Sequence, residues 1–234
     1  MIAENQSQDS KKAYFLKGIK YFLKYTILSV ILVVLIEQLC KACGIQLDNA
    51  LYADEFKVQI KENFFLMLFM IGVWAPITEE IMFRFWQSYK RWHIATALFV
   101  ITFFILGSIL QDPSTEEAST FFSKSDLYLL PVKIIGSALV ASPIFLLSQA
   151  KVTDFGKRYG THLAWITVFV FTLLHVTNYS CPWYALPLAA MSCAPQFVFG
   201  TTATFYRRNL AFGYCIALHM LINTTFILIS FMSI

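Results

Sequence analysis

The residues whose types and spacing could do chemistry begin with Thr78-Glu79-Glu80-Ile81-Met82-Phe83-Arg84, which follows Pro76 inside an otherwise apolar stretch. An ionisable group at the centre of a helix in lipid costs about 2.5 to 3.5 kcal/mol on insertion scales, so such groups are rare and are usually paired or functional. Glu80 and Arg84 are four apart, acid before base, on one helical face where they can neutralise each other. Glu79 points about 100° away around the helix and has no evident partner in its own segment. A carboxylate without a counter-charge in a low-dielectric site suits a general base. Pro76 predicts a bend or a loosened turn just before the pair.

Two further places put polar groups in apolar stretches. In Phe171-Thr172-Leu173-Leu174-His175-Val176-Thr177-Asn178, Phe171 and His175 share a face, with Asn178 one turn on. In His219-Met220-Leu221-Ile222-Asn223, a His and a polar donor are again four apart. A lone His in an apolar helix is more often a hydrogen-bonded core residue than a catalyst; two such helices together with a glutamate pair point to a polar site.

These residues must be positioned by membrane spans. The first apolar stretch, with its core from Thr26 to Ile36, must extend towards Cys43 to cross about 30 Å of hydrocarbon. Further stretches run near 63–83, 93–110, 127–149, 162–179, 184–205 and 211–231. The sequence therefore predicts an all-α polytopic transmembrane helical bundle of about seven spans. Residues 1–25 form a basic cytoplasmic amino-terminal segment, and 26–234 form the bundle. Lys90, Arg91, Lys151, Lys157, Arg158, Arg207 and Arg208 fall on the amino-terminal side of the spans. Asp48, Asp54, Glu55, Asp112, Glu116, Glu117 and Asp126 fall on the other, which puts the amino terminus in the cytoplasm and predicts an integral protein of the cell membrane. Lys133 and Glu37 are expected to snorkel from span ends, and His93 and His162 to be interfacial.

Depth can be counted along the helices. Glu80 is ten residues from Lys90 and His219 eleven from Arg208, so both lie about 15 to 16 Å from one boundary at 1.5 Å per residue. His175 is seventeen residues from Arg158, about 25 Å. Gly156 and Gly160 predict a helix that starts only near Thr161, which would bring His175 closer to the others.

Composition sets the outer limits. Of 234 residues, 58% are hydrophobic and 14% charged, outside the usage of soluble domains and of disordered chains. The net charge of +4 is not gathered into a patch with interleaved aromatics, so a nucleic-acid partner is excluded. The five Cys form no paired metal-ligand spacings. No Ser or Cys nucleophile motif is present.

Taken in order, Glu79-Glu80 with Arg84, Phe171 with His175, and His219 with Asn223 resemble the motifs of the CPBP family of intramembrane peptidases. That family includes CAAX-processing proteases and bacteriocin-processing or abortive-infection proteins, and it is marked by E-E-x-x-x-R, F-x-x-x-H and H-x-x-x-N or D. Gly200, Tyr206, Arg207 and Gly213 ahead of His219 resemble the family's lead-in. The resemblance runs from about residue 70 to the end, with a peptidase-like core at about 63–92 and 160–234. Phe85 stands where a small residue commonly follows the motif Arg, and the gap between the first two motifs holds two extra spans, 93–110 and 127–149.

The resemblance implies an intramembrane endopeptidase acting on a membrane-associated peptide or protein, with no covalent acyl-enzyme. Glu79 would activate water, helped by His175; His219 and Asn223 would donate hydrogen bonds to the oxyanion; Glu80 and Arg84 would hold the base. Glu79, His175 and His219 would also make a His₂Glu set with an open fourth position, so zinc stays open as a cofactor, although the sequence has no H-E-x-x-H. The family has been read both as metalloprotease and as metal-independent glutamate protease. Two other readings stay open: a non-catalytic membrane scaffold or immunity-type protein, and an ion-coupled transporter using the same carboxylates and His as a relay.

Overall fold

The computed structural model describes residues 8–110 and 124–233. The acidic connector with Asp112, Glu116 and Glu117 lies outside the described residues. The architecture is all-α, a polytopic helical bundle, with six helices among the described residues long and apolar enough to cross a membrane: Gln8–Ala42, Phe64–Ser88, Arg91–Leu110, Tyr128–Leu146, Gln149–Asn178 and Phe212–Met232. The described residues fall into two compact units, one formed by the chain up to Glu80 together with Thr161 onward, the other by Ile81–Gly160. The second unit takes in the two spans that separate the first two motifs.

In the first unit, helix α1 (Gln8–Ala42) is a single 35-residue helix, so the basic segment and the first span are continuous, with no break near residue 25. After it come α2 (Asp54–Glu62), α3 (Phe64–Phe69), a π-turn (Met70–Trp74) and α4 (Ala75–Arg84), which begins in this unit and carries the glutamates. The carboxyl-terminal part holds the end of α7 (Gln149–Leu174), a 3₁₀ turn (His175–Asn178), α8 (Leu186–Ser192), α9 (Ala194–Asn209) and α10 (Phe212–Met232). An unforeseen antiparallel pairing of two-residue strands, β1 (Asp48–Asn49) and β2 (Tyr179–Ser180), joins the loop after α1 to the loop after α7.

The stretch 184–205, expected as one span, is two helices separated at Cys193. Pro195 lacks the N–H that would bond back across the junction, and it disfavours α geometry in the residue before it. Helix α9, at sixteen residues, is about 24 Å long, shorter than the hydrocarbon core. It is also the most enclosed element of this unit: Val198, Phe199, Gly200, Thr202, Ala203 and Tyr206 are all buried. Helix α1 packs along it, and the close approach is made at Gly18, where a Cβ would come within 2.1 Å of the Tyr206 ring. Tyr206 donates its hydroxyl hydrogen to the Phe15 carbonyl at 3.0 Å and stacks on the Phe15 ring. The opposite face of α1 exposes Leu23, Ile27, Ile31, Leu35 and Leu39, as a helix bordered by lipid should.

In the second unit, α5 (Arg91–Leu110) packs on α6 (Lys124–Ala141). Lys133 does not sit at a span end. It lies mid-helix and is buried, its Nζ facing α5 beside Gly107. His93, near the start of α5, is buried, hydrogen-bonded to the Ser88 hydroxyl and packed on Phe85. Gly156 and Gly160 lie inside α7, which starts at Gln149 and not near Thr161. These two glycines open the helix surface to Tyr89, whose ring would come within 2.2 Å of a Cβ at Gly156 and whose hydroxyl oxygen would come within 2.2 Å of one at Gly160. Tyr89 itself adopts φ 55°, at the turn between a 3₁₀ segment (Phe85–Ser88) and α5.

Candidate active site

The loosened turn expected from Pro76 is the π-turn at Met70–Trp74, and its hydrogen bonding follows from the chain. The Ala75 N–H donates to Met70 O, five residues back. For Ile71 O, the α partner would be that same Ala75 N–H, already committed, and the π partner would be residue 76, a proline with no N–H. The carbonyl is satisfied from another helix: Asn223 Nδ2 of α10 donates to Ile71 O at 3.0 Å. Left without a donor in an apolar setting, a polar backbone group costs about 1–3 kcal/mol. One turn later, the Thr78 hydroxyl reaches the carbonyls of Trp74 and Ala75, 3.0 Å to each.

One turn before Asn223 on α10, His219 meets both glutamates. Its Nδ1 is 2.9 Å from Glu80 Oε1, and its Nε2 is 3.7 Å from Glu79 Oε2. With Glu80 ionised, Nδ1 carries the hydrogen and donates it, which turns Nε2 towards Glu79. The two glutamates differ in access. Glu80 is 0% exposed, whereas the Glu79 side chain is 26% exposed. Glu79 Oε2 is itself buried and makes no hydrogen bond among the described residues, and 3.7 Å is beyond hydrogen-bond range to Nε2. The imidazole is walled by rings, with Phe199 of α9 at 4.4 Å and Phe171 of α7 edge-on at 6.1 Å. These walls keep the pair in low dielectric, where a charge placed on Glu79 counts for more than it would in water.

His175 begins the 3₁₀ turn that ends α7, and Phe171 packs against it at 4.7 Å. Its Nδ1 lies 2.8 Å from Phe171 O. A carbonyl only accepts, so Nδ1 bears the hydrogen and Nε2 of the neutral ring is the acceptor. Arg84 closes α4, four residues after Glu80, and is 1% exposed.

The structure thus brings Glu79, Glu80, His219 and Asn223 together, with His175 joined to His219 through the shared Phe171 ring. Glu80, read with Arg84 on the sequence, also has His219 as a hydrogen-bond partner. Two features depart from expectation. Asn223, expected to face an oxyanion, gives its amide to Ile71. The His₂Glu set of Glu79, His175 and His219 does not converge: among the described residues, no three His, Cys, Asp or Glu side chains are placed to hold a metal ion. The residues present do not fit zinc. Sequence reasoning missed Phe199, which carries no signal because one more Phe in an apolar helix breaks no pattern. It also missed Ile71, whose part is played by a backbone carbonyl; the only clue was Pro76 five residues on.

A groove between α7 and α9, of about 340 Å³, is lined by Trp165, Val168, Thr201, Thr204, Phe205 and Arg208, among others, and by none of the residues above. Comparison with protein-family models, with curated proteins and with solved structures finds no match to this chain.

Proposed function

We propose that the protein is an intramembrane endopeptidase, of the kind its three motifs resemble, that hydrolyses a peptide bond in a membrane-associated peptide or protein with water activated by Glu79. The observation that carries this reading is the row Glu80, His219, Glu79, in which a fully buried carboxylate orients an imidazole towards a second, partly exposed carboxylate whose Oε2 makes no hydrogen bond among the described residues. In this reading Glu79 takes a proton from water as the water oxygen adds to the scissile carbonyl carbon. The carbonyl oxygen becomes an oxyanion, to which His219 donates when its Nε2 bears a hydrogen. The C–N bond then breaks, and Glu79 returns the proton to the leaving nitrogen, giving an amine and a carboxylic acid. His175, with its Nε2 lone pair free of the Phe171 contact, assists in orienting the water. The protein acts in the cell membrane with its amino terminus in the cytoplasm, and water reaches the site from that side.

The test is a comparison of membrane-derived peptides from cells carrying the wild type and Glu79→Gln, a change that keeps the shape and removes the base. Peptides that depend on Glu79 are expected; their complete absence would sink the reading. A carboxylate, imidazole, carboxylate row would also serve a proton relay. Proton-coupled uptake into proteoliposomes that vanishes in Glu79→Gln would favour that reading instead.

A further inference from the structure

Helix α10 touches the glutamate-bearing segment at two points one turn apart: His219 on Glu79 and Glu80, and Asn223 on Ile71 O. The second contact is also a close packing of backbones. A Cβ at Gly72 would lie 3.0 Å from Thr224 Oγ1 and 3.6 Å from Thr224 Cα, so the π-turn rests directly on α10 beside Asn223. A π-turn inserts one residue into a helix, and relaxing it to a regular α-helix rotates everything after it by about 100°, one position. The turn therefore sets which way Glu79 and Glu80 point.

We propose that Asn223 is a positioning residue rather than an oxyanion donor: by supplying the hydrogen bond that Pro76 withholds from Ile71, it holds the π-turn and so places Glu80 on His219 Nδ1 and Glu79 opposite Nε2. This deepens the peptidase reading but does not depend on it, because the placement of the glutamates against His219 can be observed without a substrate. The chemistry supplies its own control. Pro76→Ala returns an N–H at the position from which a π-turn bonds Ile71, so it replaces the donor lost in Asn223→Ala. A donor to an oxyanion could not be replaced from there.

The experiment is nitrogen NMR of the purified full chain labelled with ¹⁵N-histidine in detergent micelles, with His219 assigned among the four histidines from a His219→Gln sample. Asn223→Ala is expected to displace the His219 ring signals, and Pro76→Ala/Asn223→Ala to return them to those of Pro76→Ala alone. Unmoved signals in Asn223→Ala, or a double variant as displaced as the single, overturn the proposal. Should Asn223→Ala fail to fold, a folded double variant supports the proposal and an unfolded one overturns it. Where Glu79-dependent processing is found, its kcat should fall in Asn223→Ala with KM little changed, and recover in the double variant. No Glu79-dependent peptide at all would overturn the peptidase reading alone, leaving the NMR result to decide the role of Asn223.

Discussion

Two chemically identical neighbours acquire different roles because a helix turns about 100° per residue. Glu80 is enclosed and hydrogen-bonded to His219, and Glu79 is reachable. Sequence reasoning separated the two in the same sense but did not find His219, because i,i+4 spacing identifies Arg84 as a neighbour while a contact between residues 80 and 219 leaves no periodic trace. The difference predicts opposite balances of activity and stability. Glu79→Gln should reduce processing by about 10² to 10⁴, the usual contribution of a general base, with thermal unfolding in detergent little changed. His219→Ala removes the hydrogen bond to a buried carboxylate and should cost about 1.5–3 kcal/mol of stability as well as activity. Equal destabilisation by both variants would remove the distinction between base and orienting carboxylate.

At the scale of elements, the spans were legible wherever apolar residues ran long enough. They were misread where proline or glycine acts through a partner that sequence does not display. Gly156 and Gly160 read as a helix start because glycine often ends helices, yet they lie within α7 and are small because Tyr89 lies against them. Gly18 gave no signal, and it sets the approach of α1 to α9. Its replacement by Ala would drive a methyl into the Tyr206 ring, whose hydroxyl is tied to Phe15 O. Overpacking of that kind costs about 1–3 kcal/mol. Tyr206→Phe, which keeps the ring and loses only the hydroxyl, should cost about 1 kcal/mol. Thermal unfolding of both variants in detergent checks this; a Gly18→Ala protein as stable as the wild type would show that α1 docks on α9 through other contacts.

For the molecule as a whole, the long apolar helices give an integral membrane protein, whereas the direction expected from the positive-inside pattern is a property of the bilayer and needs a reporter on each side. The five cysteines provide one. Cys43 is exposed just after α1, and Cys181 is half-buried just after β2. The β1–β2 pairing, Asp48 with Ser180 and Asn49 with Tyr179, ties those two loops to the same end of the first unit. Cys40, Cys193 and Cys215 are buried. If the amino terminus is cytoplasmic, that end faces outward. A membrane-impermeant maleimide added to intact cells should then label wild-type protein, lose part of the label in Cys43→Ser or in Cys181→Ser, and lose it all in the double variant. A double variant that still labels would place a buried cysteine within reach of water. Labelling of Cys43 and Cys181 only after the membrane is permeabilised would invert the orientation. Water would then enter the glutamate site from the side opposite to the one proposed.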